Sequence, residues 1–200
     1  MEGSKIHLSE AELNLACNAE IILTKNTIIK KTIALLQTLQ EAMTTEKQNN
    51  VFTNKFFSVS PKISKGENYL GLPYVVLDYP RISGGGDLCF IRTMFWWGNF
   101  FSSTLQLSGA YKKEFFNTIA SSYQLLCKEN YFIGTGADPW HHHFEETNYR
   151  KINSLTAKEF LKIIHDKPHI KIAAKWPLEE WNLAATRLYK SWERLTGLIT

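Results

Sequence analysis

The segment Leu88–Ser108 (LCFIRTMFWWGNFFSSTLQLS) constrains the fold of this chain more than any other stretch. Two runs rich in apolar and aromatic residues flank Gly98-Asn99, a dipeptide typical of tight two-residue turns. Such a turn predicts a β-hairpin in which Trp97 lies opposite Phe100. Because side chains alternate along a strand, this register assigns every other residue of the hairpin to one of two faces. We therefore expect the hairpin to lie at the centre of a sheet.

The predicted register places a lone cation among apolar side chains. On one face, Arg92 is accompanied by large apolar residues, namely Phe90, Met94, Trp96, Phe101, Leu105 and Leu107. The other face is aromatic beside the turn, where it carries Trp97 and Phe100, and is small and polar beyond it. A guanidinium in apolar surroundings must be paired or must reach water.

Two interpretations of Arg92 are open. Asp78 lies on the preceding strand, YVVLDY, and the connection to the hairpin is short enough to bring it near Arg92 as a structural ion pair. Alternatively, Arg92 binds an anion such as a carboxylate or phosphate at the floor of an aromatic pocket. Since neighbouring aromatic rings would remove water from the guanidinium, we favour a ligand-binding site. Its candidate residues are Arg92, Asp78, Trp96, Trp97 and Phe101.

A second candidate site is the polar segment Asp138–Glu146 (DPWHHHFEE). In an extended chain His141 and His143 would share a face, with Glu145 next along it. Two imidazoles and a carboxylate can hold zinc or iron with one position open, and such an ion activates water. Ligands on one loop need help from elsewhere in the chain, and there is no HExxH motif. The alternative interpretation is a polar loop whose histidines are incidental.

Composition excludes several classes of function. The net charge is +4, from 23 basic and 19 acidic residues that are scattered along the chain, which does not suggest nucleic-acid binding. No apolar run approaches the ~18 residues of a membrane-spanning helix, and the N-terminus lacks a signal-peptide pattern. Three widely spaced cysteines do not suggest a disulfide framework. We therefore expect a cytoplasmic protein without nucleic-acid or membrane partners.

The remaining patterns predict an α+β fold. Ser9–Glu12 and Thr156–Glu159 are capping boxes that open helices, and residues 20–46 carry two neighbouring apolar stripes of a long helix. Residues 61–68 are predicted to form an exposed turn region, and residues 80–87 a mobile connection. Helices would cover a largely antiparallel sheet built on a central hairpin at about residues 74–108.

We expect residues 1–200 to form one α+β domain with an N-terminal pair of helices. The N-terminal helical segment, residues 1–47, either packs on the sheet or is used for assembly, which leaves a homodimer open.

Four segments occur in an order that resembles the YktB-like proteins: LPYVVLDYP, CFIRTMFWW, YKKEF and LTAKEFLKIIHDKPHIKIAAKWPLEEW. The similarity covers roughly residues 72–198 and concerns architecture. It implies the order of strands and helices, and it implies no activity, because that family has no settled one. No residue is assigned a role on this basis.

The sequence thus favours a non-catalytic domain that binds a small anionic molecule or a protein partner. The alternative is a metal-dependent, hydrolase-type enzyme that uses the His141–His143 loop. Whether the protein is an enzyme at all stays open at this point. A third hypothesis is an assembly module that uses the long N-terminal helix.

Overall fold

The predicted hairpin forms the middle of a seven-stranded antiparallel sheet in the computed structural model, which describes residues 6–48 and 54–200. The order in the sheet is β1-β2-β3-β4-β7-β5-β6, so the first four strands form a meander and the later strands join it at β4. The strands are β1 (Lys62–Tyr69), β2 (Leu72–Gly84), β3 (Asp87–Trp96), β4 (Phe100–Ser108), β5 (Phe132–Gly134), β6 (Tyr149–Lys151) and β7 (His169–Pro177).

Helices of very different lengths connect and flank these strands. They are α1 (Glu10–Ala16), α2 (Ala19–Gln48), α3 (Asn54–Phe57), α4 (Gly109–Ser121), α5 (Tyr123–Lys128), α6 (Ala157–Asp166) and α7 (Trp181–Thr196). Both predicted capping boxes are confirmed. The side chains of Ser9 and Thr156 each accept a hydrogen bond from the backbone N–H of the glutamate three residues later, and the carboxylate of that glutamate accepts one from the backbone N–H of the cap residue. The α+β fold and the N-terminal helix pair are as predicted.

The register of the central hairpin differs by one residue from the prediction. Trp96, not Trp97, lies opposite Phe100, so the connection has three residues instead of two. Gly98 occupies the left-handed region at φ +69°, as is common in three-residue hairpin loops. The N–H of Trp97 donates to the carbonyl of Pro73 at 3.0 Å, so this residue bonds to the β2 side and not to β4.

This one-residue shift exchanges the faces of β4. On what we call the helical face, the side chains of β3 and β4 are buried against α2, α4 and α7; they include Cys89, Ile91, Phe95, Phe101, Leu105 and Leu107. On the opposite side, which we call the polar face, Ser102, Thr104 and Gln106 of the hairpin and Lys171 of β7 are buried, and Arg92 is partly buried. The prediction that Arg92 shares its face with Phe101, Leu105 and Leu107 is therefore wrong, since these three residues lie on the other side of the sheet.

Two segments predicted to be irregular are strands. Residues 62–68 form most of β1. This edge strand is largely exposed, so its sequence lacks the alternation of apolar and polar residues that predicts a strand. Residues 80–84 continue β2, and Gly84 pairs with Asp87 across the next turn. The register of β2 shifts between Asp78 and Arg81, where Pro80 interrupts the ladder of backbone donors.

The long helix α2 buries side chains only from Ile29 onward. Ile29, Leu36, Leu39 and Met43 belong to the main core, as their spacing predicts. By contrast, residues 6–24 are exposed throughout, and α1 buries no residue. Residues 1–5 of the predicted N-terminal segment lie outside the described part. None of the described helices combines the length and the apolar character needed to cross a bilayer.

Candidate functional site

Asp78 and Arg92 lie directly opposite each other on β2 and β3, as expected from the order of the strands. The guanidinium donates from Nε to Oδ1 and from Nη2 to Oδ2 of the carboxylate, both at 2.8 Å. The two side chains are 20% and 16% exposed, so this two-point contact is largely shielded from water. The predicted ion pair is confirmed, and it holds the guanidinium against Asp78 on the polar face of the sheet.

His142 extends this pair into a chain of three side chains. Its Nε2 lies 3.1 Å from Nη1 of Arg92. Because a guanidinium can only donate, Nε2 must accept, and the ring proton of a neutral His142 is then on Nδ1. Burial, followed by the charges of Arg92 and Lys171, lowers the pKa of His142 well below its usual value. The ring is therefore neutral, with one N–H that points away from Arg92.

Tyr69 holds the histidine loop, by which we mean residues 138–146, from one side. Its hydroxyl oxygen accepts the backbone N–H of His142 at 2.6 Å and that of His143 at 3.2 Å. The same hydroxyl lies 3.1 Å from Nδ1 of His143. Burial raises the pKa of Tyr69 and lowers that of His143, so a protonated phenol donates to a neutral imidazole.

Asn148 and Lys171 hold the same loop from the other side. The amide of Asn148 donates to the carbonyls of His141 and His143, at 3.1 and 2.6 Å. The ammonium of Lys171 also donates to the carbonyl of His141. Polar side chains on both sides thus form hydrogen bonds with the backbone of the histidine loop, and the loop covers the polar face of the sheet.

Lys171 is a cation in an unusual position. It is 1% exposed, and its Nζ lies 4.6 Å from the centre of the buried Tyr149 ring. Burial lowers the pKa of Lys171 to about 8 and raises that of Tyr149. No ion pair between described residues includes Lys171. The polar face therefore holds more positive than negative charge.

An open cleft of about 180 Å³ lies beside Arg92, and we call it the outer cleft. Trp140, which is 49% exposed, stacks on Phe90 with ring centres 5.6 Å apart, and both rings lie within 6 Å of the guanidinium carbon. Nε of Arg81 donates to the carbonyl of Ser60 at 2.7 Å, so part of that guanidinium faces the cleft. The cleft is lined by Lys62, Asp78, Arg81, Ile82, Ser83, Leu88, Phe90, Arg92 and Trp140.

A larger cavity of about 650 Å³ lies between α7 and the end of β7. Like the outer cleft, it is lined by more cations than carboxylates, namely Lys175, Arg187, Lys190 and Arg194 against Glu129 and Glu193. Arg194 contacts Glu129 at 2.6 and 2.8 Å, and Arg187 contacts Glu180. Volume alone does not mark a binding site, and the aromatic residues that line this cavity, Tyr131 and Trp176, do not form a stacked pair like that of the outer cleft.

The predicted aromatic residues of the ligand site are divided between the two faces. Trp96 lies on the polar face, but it packs in a small cluster with Val76, Met94 and Phe100, away from the outer cleft. Phe101 is fully buried on the helical face. Trp97 lines an apolar cleft of about 430 Å³ with Ile28, Lys31, Phe95, Gly98, Leu178 and Trp181. The expectation that Trp97 and Phe101 surround Arg92 is wrong, because it depended on the shifted register.

The predicted metal ligands are only partly brought together. The rings of His141 and His143 lie on the outer side of the loop with centres 4.9 Å apart, whereas Glu145 is exposed and acts on His143 only electrostatically. Within residues 6–48 and 54–200, no three His, Cys, Asp or Glu side chains are placed to hold one metal ion. Zinc or iron binding stays a prediction without support from this geometry.

Sequence reasoning did not find Tyr69, Asn148 or Lys171. Tyr69 lies on a strand that was not predicted, and Asn148 lies in a long irregular segment, so neither had a recognisable context. Lys171 did have one: it is a lone lysine within HIKIAA, a strand that is otherwise nearly all apolar. A charged residue in such a run indicates a buried polar contact.

Comparison with known proteins gives a short result. No protein-family model, curated protein or solved structure matches this chain. The resemblance to the YktB-like proteins therefore stays a prediction, and function is argued below from the geometry alone.

Proposed function

We propose that this protein binds a small organic anion in the outer cleft. The observation that carries the proposal is charge: Lys62, Arg81 and Arg92 line the cleft against a single carboxylate, Asp78. Of the five N–H groups of Arg92, Asp78 uses two and His142 one, which leaves two for a ligand. A carboxylate is a group whose two oxygens match such donors.

The aromatic wall favours a ligand that carries a ring beside its carboxylate. The half-exposed indole of Trp140 stacks on Phe90 at an interplanar angle of 12° and leaves one ring face open. A planar ring can stack on that face while its carboxylate reaches Arg81 and Arg92. The volume of about 180 Å³ suits a molecule of a single ring.

Benzoate is a suitable probe for this proposal. We expect calorimetric titration to detect benzoate binding, and Lys62→Gln or Arg81→Gln to weaken it by about tenfold through loss of a charge-assisted contact. Lys65→Gln is the matched control, because Lys65 lies on the same strand but pairs with Val75 and faces the other side. Equal affinity in all four proteins, or no binding to any, would contradict the proposal.

A homodimer is a second proposal, supported by a separate observation. Residues 6–24 expose seven large apolar side chains by 43–84%: Ile6, Leu8, Leu13, Leu15, Ile21, Ile22 and Leu23. Contiguous apolar surface of this kind marks contact sites. The same residues include three acids, Glu10, Glu12 and Glu20, and no Lys or Arg. The neighbouring apolar cleft beside Trp97 is lined by one charged residue, Lys31, so the helical segment of a second copy matches it in both polarity and charge.

Light scattering during size-exclusion chromatography tests the dimer. We expect twice the chain mass for the wild-type protein and a single chain mass for Ile22→Glu, which places a charge within the apolar surface. Leu183→Glu is the control, since Leu183 is 50% exposed on α7 and lies outside this surface. A wild-type monomer at high concentration would overturn the proposal.

A further inference from the structure

Beneath the histidine loop, polar side chains of two neighbouring strands are buried side by side. Gln106 of β4 and Lys171 of β7 lie directly opposite each other, and they are 0% and 1% exposed. His169 lies two residues before Lys171 and points to the same face of the strand. Asn148 and Lys171 share the carbonyl of His141 as acceptor, which places all these groups under one short stretch of the loop.

Several of these buried groups lack hydrogen-bond partners among the described residues. They are Nε2 and Oε1 of Gln106, Nδ1 of His142, Nε2 of His169 and Oδ1 of Asn148. Buried polar groups in folded proteins almost always have partners, and an isolated exception requires a reason. Five of the nine unpartnered atoms among the described residues belong to these four side chains, so a molecule that supplies the missing partners is a sufficient reason.

The chemistry of the unpartnered groups indicates the charge of that molecule. Nδ1 of His142 carries the ring proton and is a donor, as argued above from its contact with Arg92. Gln106 adds two amide hydrogens, and Lys171 adds a cation whose ammonium contacts the carbonyl of His141 and the ring of Tyr149. The Asp138 carboxylate, which attracts Lys171 electrostatically, has its own contact with the His141 ring at 3.4 Å. Three donor hydrogens and a cation without an ion pair outnumber the two unpartnered acceptors, Oε1 of Gln106 and Oδ1 of Asn148, so the set suits an anion.

We propose that a small carboxylate binds between Lys171, the Gln106 amide and Nδ1–H of His142 when the histidine loop moves aside. The carboxylate replaces the carbonyl of His141 as the acceptor for Lys171 and gives the two other donors their missing partner. The outer cleft, which Trp140 borders immediately before His141, is the approach to this inner site. The inference rests on the proposed anion-binding function and adds a second, deeper position for the carboxylate.

The side-chain amide of Gln106 is a direct reporter in a ¹⁵N NMR titration. Its signals are identified by their absence from Gln106→Leu. We expect sodium acetate, added at constant ionic strength against sodium chloride, to shift these signals with saturation. Lys171→Met should abolish the shift. Lys175→Met should keep it, because Lys175 lies on the same face of β7 but over the rings of Phe100 and Phe144.

Two further arms keep the test decisive. If Lys171→Met does not fold, calorimetry on Gln106→Leu replaces it, and we expect acetate to bind at least about tenfold more weakly than to wild type. Inorganic phosphate should give no saturable shift, because it is larger and more highly charged than the single carboxylate that Lys171, Gln106 and His142 would hold. Saturation by phosphate but not acetate, or an acetate shift that survives Lys171→Met, overturns the assignment.

The same titration separates this inference from the function on which it rests. In Lys62→Gln and Arg81→Gln, benzoate binding in the outer cleft should weaken while the acetate shift of Gln106 persists. A Gln106 signal that never responds, beside benzoate binding that depends on Lys62 and Arg81, overturns the inner site alone. An acetate response together with benzoate binding that ignores both variants overturns the outer cleft alone.

Discussion

The helical face and the polar face of the central hairpin are equally buried but differ in chemistry. On the helical face, Phe95, Phe101, Leu105 and their neighbours pack against helices with no polar atom to satisfy except at Thr93 and Ser103. On the polar face, the same two strands bury two hydroxyls and an amide, beside a partly buried guanidinium. Burial of apolar surface stabilises the fold, whereas burial of polar groups stabilises it only when each is paired.

The difference teaches where stability and binding reside in this sheet. Apolar packing on the helical face gains free energy in proportion to the area it removes from water. Unpaired amide and imidazole groups on the polar face cost free energy, which is typical of surfaces that are kept for a ligand.

The largest effect is expected on the helical face. Phe101→Ala should lower the free energy of unfolding by about 3–5 kcal/mol, because it leaves a cavity in the main core. Phe100→Ala is the matched control: it removes the same side chain from the next residue, which belongs to a four-residue cluster on the polar face. We expect the loss to be clearly smaller there, as measured by urea unfolding. Equal losses would contradict the observed register.

The next effect concerns the ion pair on the polar face. Asp78→Asn should lower the free energy of unfolding by about 2 kcal/mol, less than for a fully buried pair, since the side chains retain some solvent contact. The double variant Asp78→Leu/Arg92→Met should recover most of this loss, because it leaves no unpaired charge. A double variant less stable than Asp78→Asn would show that the pair is essential to the fold itself.

A pH-dependent effect follows from the buried imidazoles of the polar face. Burial lowers the pKa of His169 to about 4, below the value of about 6.5 for an unfolded chain. As the pH falls, His169 therefore binds a proton in the unfolded state before it does so in the folded state. The stability that the neutral, buried imidazole contributes is complete above pH 6.5 and is lost as the pH falls towards 4. At pH 5, inside this window, we expect a loss on the order of 1 kcal/mol.

Chemical unfolding between pH 7 and pH 4.5 measures this effect. His169→Gln should flatten the curve of stability against pH, because it removes the buried imidazole. A wild-type protein that becomes more stable as the pH falls through this window would refute the neutral, buried state of His169.

Much of the fold could be predicted because its signals are local. The capping boxes, the hairpin and the apolar stripe of α7 each depend on residues close together in sequence. The hairpin register could not be predicted, since the length of its loop is decided by the distant bond from Trp97 to Pro73. Strand β1 was missed for a similar reason: KISKGENY becomes a strand by pairing with β2 and has little apolar alternation of its own.

The candidate site could be predicted only where two strands are adjacent. Asp78 and Arg92 face each other because β2 and β3 follow one another along the chain, which the sequence indicates. Lys171 meets the histidine loop through β7, which joins the sheet at β4 after a long excursion. No local pattern reports a contact of that range, although an isolated lysine between Ile170 and Ile172 signals that some partner exists.

The most direct test of the division between the two faces is the stability of Gln106→Leu, measured with and without acetate. We expect this variant to be about 1 kcal/mol more stable than wild type, because it removes two unpaired buried polar atoms. Acetate should stabilise the wild-type protein and should not stabilise the variant. A variant that is less stable than wild type, or that acetate stabilises equally, would show that the polar face serves the fold and not a ligand.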